Sequence, residues 1–171
     1  MNSSTIDLVF RYSERDFIRA MRAHYSSRLR LTLDIIVIVS LASWGVYDLQ
    51  SPHPDWFGKF SLVVSAVFAL MLIAVFFVIP PLMFRRESKF RDEYSLTFNP
   101  DGIHFRTVHL DSNLQWEMYS RALVDHQSFL LYYGAAAFTI VPKRVFKSPE
   151  QMRAFEELLA NKMPKIVRRD T

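Results

Sequence analysis

Residues 60–84 read FSLVVSAVFALMLIAVFFVIPPLMF and contain no charged side chain. A helix rises about 1.5 Å per residue, so about 20 apolar residues cross a hydrocarbon core of about 30 Å. Phe60 to Ile79 meets that length before Pro80-Pro81, where a helix loses backbone donors and the rings clash with the preceding turn. Arg85 and Arg86 follow at once, and both are costly to bury in lipid. The stretch predicts a transmembrane helix over about 60–79.

A second apolar run, Leu31 to Tyr47, is shorter and carries Asp34. Beside the first it reads as a paired transmembrane helix, making a hairpin over 31–84. Asp48 to Lys59, with Pro52, Pro54 and Gly58, supplies the turn. Trp44, Tyr47, Trp56 and Phe57 bracket that turn, as amphipathic rings do at a membrane–water boundary. Ser61, Ser65 and Ala69 recur every four residues, either as a stripe that admits another helix or as ordinary small membrane residues. Six arginines (11, 15, 19, 22, 28, 30) precede the hairpin and Arg85, Arg86, Lys89 and Arg91 follow it, while the loop offers only Lys59. Lysine and arginine stay on the cytoplasmic side, so both chain ends are expected there.

The 171 residues leave room for one ordinary domain beside the anchor. Without cysteine there is no disulfide, thiolate metal site or cysteine nucleophile. The net charge of +4 comes largely from arginines flanking the apolar runs, so nucleic acid is not an expected partner. Residues 1–30 are polar and arginine-rich, which predicts no cleavable leader.

Thr5 to Tyr12 alternates, with Ile6, Leu8, Phe10 and Tyr12 on one face. Ser13 with Asp16 forms a weak capping box for a helix from Glu14. Past Arg91 the chain changes to short alternating runs: Tyr94–Phe98, a type I turn at Asn99-Pro100-Asp101-Gly102, Ile103–Thr107, a turn at Asp111–Asn113, and Leu114–Met118. Ala122–Gln127 follows, then Phe129–Tyr133 and Ala136–Val141 flanking Gly134. Ser148-Pro149-Glu150-Gln151 starts a helix with an apolar stripe of Met152, Phe155, Leu158, Leu159 and Met163. A lone strand cannot stand in water, so the Thr5–Tyr12 segment is expected to add to the C-terminal sheet, the alternative being a frayed polar end.

Phe98–Ile103 with its Asp101-Gly102 turn, Leu114, Trp116, the run Ile140-Val141-Pro142-Lys143-Arg144-Val145-Phe146 and the helix around Phe155–Leu159 together resemble the YcxB-like family of bacterial membrane proteins. The resemblance implies a bacterial inner-membrane protein whose cytoplasmic part is a small pleckstrin-homology-like domain, and it implies no catalytic residues. The expected fold class is thus an α+β membrane protein. Residues 1–30 form a cytoplasmic strand and amphipathic helix, 31–84 the hairpin (helices about 31–47 and 60–79), and 85–171 a mostly-β domain closed by a C-terminal amphipathic helix.

Lys143, Arg144 and Lys147, joined by Arg85, Arg86 and Lys89, are candidate contacts to anionic headgroups, or else a solvated face. Specific phosphoinositide recognition is not favoured, because the Asn99–Gly102 turn has an aspartate and no lysine. Asp34 is a candidate intramembrane polar site, or a boundary residue made cheap by pairing with Arg30 one turn away. Histidines 24, 53, 104, 109 and 126 lack metal-ligand spacing, and four glycines leave no phosphate-cradling loop. No catalytic, cofactor or metal site is expected. The reading is a membrane-held interaction module whose partners are the bilayer and an unidentified membrane or cytoplasmic protein, with self-association open. The alternative is a subunit of a transport or envelope-stress assembly that uses Asp34 and the hairpin.

Overall fold

A computed structural model describes residues 5–135 and 137–168, apart from the Lys89 side chain. The expected strand start at Ala136 and the candidate contact at Lys89 lie outside the described residues. Chain packing divides the protein into two units: residues up to Ala20 with those from Phe84 onward, and Met21–Met83.

The first strand, β1 (Ile6–Arg11), alternates buried and exposed residues along its whole length. Helix α1 (Glu14–Arg28) follows, and the division between units falls within it. Its start is a reciprocal box: Asp16 N–H donates to Ser13 Oγ (3.1 Å) and Ser13 N–H donates to Asp16 Oδ2 (3.0 Å).

In the second unit, α2 (Leu31–Leu49) packs against α3 (Trp56–Ile73). A Cβ on Gly45 would meet Leu62 Cγ at 2.5 Å and the Gly58 carbonyl at 2.7 Å, so only glycine permits this approach. Ser61 and Ser65 are buried, and Ser61 Oγ donates to the Leu41 carbonyl at 2.7 Å. Part of the small-residue stripe is therefore used inside the hairpin. Asp48 Oδ2 accepts from the Asp55 N–H at 3.0 Å and braces the turn.

The helix does not end at Pro80-Pro81. A π-helical turn over Ala74–Val78 leads into α4 (Ile79–Arg86), giving an unbroken helical run of 31 residues from Trp56. Pro80 has no N–H for the Phe76 carbonyl in α register, and Pro81 has none for it in π register. The Ile79 N–H is engaged with Ala74. The orphaned Phe76 oxygen instead accepts from Arg22 Nε at 3.0 Å, while the same guanidinium lies 4.7 Å above the Phe77 ring. An arginine from 54 residues away thus supplies what the prolines remove. Both α2 and the Trp56–Arg86 run are long and apolar enough to cross a membrane.

The first unit is a pair of four-stranded sheets and a helix. β2 (Glu93–Asn99), β3 (Gly102–Arg106) and β4 (Asp111–Leu114) extend from β1 in the order β1-β2-β3-β4, all antiparallel. β1 pairs with β2 from Ile6↔Phe98 to Arg11↔Glu93, so the N-terminal strand does join the C-terminal sheet. The Asn99 turn forms as expected: its Oδ1 accepts from the N–H groups of Asp101 (2.9 Å) and Gly102 (2.8 Å).

Two expectations fail here. Asp111–Asn113 is strand rather than turn, because His104 and Arg106 on β3 offer partners across the ladder: Asp111 lies 2.6 Å from His104 Nε2 and 3.8 Å from Arg106 Nε. Leu114–Met118 is not a strand. Trp116–Met118 is a 3₁₀ turn that buries Trp116 and Tyr119, three residues apart, and turns Met118 outward. The Trp116 indole donates to the Asn99 carbonyl at 2.9 Å.

The second sheet comprises β5 (Arg121–Val124), β6 (Ser128–Tyr132), β7 (Phe138–Pro142) and β8 (Ile166–Arg168), in the order β7-β6-β5-β8. β8, which no pattern announced, runs parallel to β5. Between β7 and β8, α5 (Pro149–Lys162) starts at Ser148, whose Oγ accepts from the Gln151 N–H at 3.2 Å. Its Phe155 reaches both sheets, with ring centroids 4.7 Å from Phe98 and 5.1 Å from Phe129. Leu8, Leu96, Phe98, Ile103, Leu130 and Leu159 complete the core around it.

Candidate functional site

Of the five candidate cations with described side chains, two are drawn into ion pairs at the first turn of α1. Arg144 donates from Nε (2.9 Å) and Nη2 (2.5 Å) to Asp16 Oδ2, and from Nη2 to the Arg11 carbonyl at 2.8 Å. It ties the turn after β7 to the end of β1 and the start of α1. Arg85 Nε pairs with Glu14 Oε1 at 3.0 Å on the same first turn. Two acids in the first turn of α1 suit its positive end, and they neutralise two of the expected headgroup contacts. Burial pushes the Asp16 carboxyl upward, but the hydrogen bonds from Arg144 and Ser13 outweigh it and hold it below the ordinary value. Lys143 sits 5.1 Å over the Phe129 ring, and Arg86 and Lys147 are exposed.

Asp34 lies in the first turn of α2. The expected pairing with Arg30 is not formed: among the described residues, Oδ2 of Asp34 is shielded from solvent and has no hydrogen-bond partner. Helical spacing permits an i,i+4 pair but does not force it.

Spacing gave no hint of a group of tyrosines at one corner of the sandwich. This is the corner where β1 ends, β2 begins and β3 turns into β4. Tyr12 donates to the Ile140 carbonyl at 2.6 Å and its ring lies 4.6 Å from that of Tyr94. Burial, then the neighbouring Tyr94, pushes the Tyr12 hydroxyl well above its ordinary value. Burial, then Asp92, pushes Tyr94 up to about 12. Burial likewise raises Tyr119. These phenols stay neutral.

Beside them opens a cavity of about 240 Å³. Phe105 and Leu114 provide apolar walls, and Leu110, Met118 and Tyr133 contribute exposed rims. Tyr119 and Thr139 supply polar groups and are themselves buried. The Tyr119 hydroxyl is out of contact with water and makes no well-formed hydrogen bond, with Thr139 the side chain that faces it. The one available signal was Trp116 and Tyr119 at the i,i+3 spacing of a 3₁₀ turn. A second, more polar cavity of about 280 Å³ lies at the Asn99–Gly102 turn, with Asp101, His104, Asn113 and Gln115 on its walls.

Comparison with known proteins matches residues 98–159 to the family described as YcxB-like protein. The matched segment runs from Phe98 in β2 to Leu159 in α5, both core residues of the sandwich. The chain is also similar to the uncharacterized protein YcxB of Bacillus subtilis (strain 168), with 21% identity over 98 residues, 57% of this chain and 53% of that protein. The match spans about half the length of that relative. No solved structure matches.

Proposed function

This chain is YcxB-like over residues 98–159, and from that premise we propose that it is a membrane-anchored interaction module of the bacterial inner membrane. Its cytoplasmic pleckstrin-homology-like sandwich binds a protein partner or the membrane surface, with no catalysis of its own. The observation that carries this reading is the pairing of β1 with β2 around an inserted apolar hairpin. Strands of one sheet share a compartment, so the hairpin must enter and leave the bilayer on the same side. Arginines flank both ends of the hairpin, which supports the cytoplasm as that side.

Several features support the anchor. In each apolar run only 6% of the most apolar window is buried within the protein, unlike the core helix of a soluble fold. Ile36, Val39, Val67, Leu70 and Met71 are all more than half exposed, an apolar surface far larger than water tolerates. Trp44, Tyr47, Trp56 and Phe57 surround the turn and are exposed there as interfacial rings. Two four-stranded sheets, the first wholly antiparallel, and a helix between β7 and β8 support the pleckstrin-homology-like reading, with the hairpin occupying the first strand-to-strand connection.

Reporter fusions at residues 2 and 171 are expected to report the cytoplasm and a fusion at residue 53 the opposite side. A cytoplasmic residue 53 would overturn the reading. Crosslinking the full chain in native membranes should then capture a protein or lipid partner of the sandwich, and capture of neither removes the interaction role.

A second reading is favoured by the unpartnered Asp34 oxygen: the hairpin belongs to a transport or envelope-stress assembly in which a partner helix meets that carboxylate. On that reading Asp34→Asn abolishes assembly or phenotype. Retention of both in the variant eliminates it.

A further inference from the structure

We propose that the end of the sandwich carrying the β3–β4 turn is a bilayer-docking surface, seated in the lipid interface by Val108, Leu110, Met118 and Tyr133. This surface rests on the anchored reading of the chain, and it makes the membrane rather than a protein the partner that the sandwich meets.

Register fixes which end this is. Arg11, the last residue of β1, stands opposite Glu93, the first of β2. Arg106, the last of β3, stands opposite Ser95, so the turn from Thr107 to Leu110 lies level with the Glu93 end of the sheet. From that end the chain leaves for the apolar hairpin after β1, and to that end it returns before β2. The Asn99–Gly102 turn lies at the opposite end of the same sheet. A tether fixed at one end of a domain holds that end at high effective concentration beside the surface the tether enters, so weak contacts suffice there.

The side chains displayed at this end are apolar. Val108 is 76% exposed, Met118 54%, Leu110 52% and Tyr133 49%, and the last three rim one shallow opening. Exposed apolar residues scattered singly are ordinary, but these are gathered at one end. Valine, leucine and methionine enter the headgroup–acyl boundary readily, and a tyrosine suits it with its ring in lipid and its hydroxyl in water.

The backbone of the turn is equally suited. A loop enters lipid only where its polar groups are already satisfied. The Thr107 N–H donates to the Leu110 carbonyl at 2.7 Å, and Thr107 Oγ1 accepts from the N–H groups of His109 (3.3 Å) and Leu110 (3.1 Å). The charged residues flanking the turn are paired with each other, Arg106 Nε lying 3.8 Å from Asp111. Contact at this end is therefore apolar and independent of lipid charge, unlike a contact made through Lys143 and Lys147.

The chain has no cysteine, so single cysteines can each carry a nitrobenzoxadiazole fluorophore on the full protein. The labelled variants are reconstituted into vesicles of phosphatidylcholine, with or without phosphatidylglycerol, whose acyl chains carry a nitroxide quencher. Val108→Cys and Leu110→Cys are expected to be quenched severalfold more than Asp101→Cys in the opposite turn, and equally in both vesicles and at high salt. With Val108→Asp and Leu110→Asp together, a probe at Tyr133→Cys should lose its quenching to the Asp101→Cys level. The melting temperature should not change, because both aspartates replace exposed side chains. Val67→Cys, within the Trp56–Arg86 run, reports the anchor separately. Quenching at Val67→Cys without excess quenching at the turn overturns the docking surface alone, and no quenching at Val67→Cys overturns the anchor and the docking surface with it. A turn probe that is blue-shifted but unquenched would show a protein covering this end, and quenching that requires phosphatidylglycerol would return the contact to the basic residues; either result overturns the proposal.

Discussion

Removal of residues 1–12 is expected to leave the chain from Tyr94 onward open to protease, although the deletion lies some eighty residues away. Ile6, Leu8 and Phe10 are 2%, 1% and 7% exposed in the assembled sheet. Full burial of such side chains contributes about 1.5–3 kcal/mol each, so the strand's apolar face alone supplies roughly 5–9 kcal/mol as an upper estimate. Deletion also takes away the Tyr12 bond to Ile140 and the backbone ladder with β2, whose edge is then bare. A domain of this size is stable by about 5–15 kcal/mol in all, so the loss rivals the whole. Limited proteolysis of the full-length and truncated chains measures it. Equal resistance of the two would mean that β1 is dispensable to the sandwich.

The second large effect is expected at Phe155. This side chain is fully buried and contacts Phe98 of one sheet, Phe129 of the other and Phe146 in the turn before α5. Phe155→Ala removes a ring from the point where three elements meet and should cost about 3–5 kcal/mol. The melting temperature should fall by more than about 10 °C for a unit of roughly 100 residues. Phe155→Leu keeps most of the volume and should cost less than about 1.5 kcal/mol. Thermal unfolding of the two variants decides: a loss below about 1 kcal/mol in the alanine variant would show that α5 does not clamp the sheets.

What could be read from the chain followed from how local its causes are. The Ser148-Pro149-Glu150-Gln151 start of α5 and the Ser13–Asp16 box carry their own partners within four residues. The box and the Ser148 cap formed as expected, while the Gln151 side chain accepts from the Lys147 N–H instead of closing a second box on Ser148. β1 was legible because its alternation demanded a sheet, and one sheet was at hand. The failures have remote causes. Pro80-Pro81 reads as a stop until Arg22 answers the Phe76 carbonyl from another helix. Asp111-Ser112-Asn113 reads as a turn until His104 and Arg106 stand opposite. Arg144 reads as a free cation until Asp16 takes it, and Asp34 as a paired acid until Arg30 does not. The cavity was illegible for the same reason. Phe105, Tyr119 and Thr139 are scattered along the chain, and only the closure of two sheets brings them to one wall.

The hairpin inserted between β1 and β2 also sets an order of events during synthesis. β1 leaves the ribosome first, and its partner strand follows about eighty residues later, or ~4–16 s at roughly 5–20 residues per second. Until then β1 has no sheet to join. On the membrane reading proposed above, a chain in which only one helix entered the bilayer would hold the first strand and the last seven on opposite sides, where this sheet cannot form. On that reading the sandwich closes only when both helices of the hairpin have crossed. Its folding, on the same reading, reports whether both helices crossed, and a chain with a single helix inserted would present a bare β2 edge and an unclosed core.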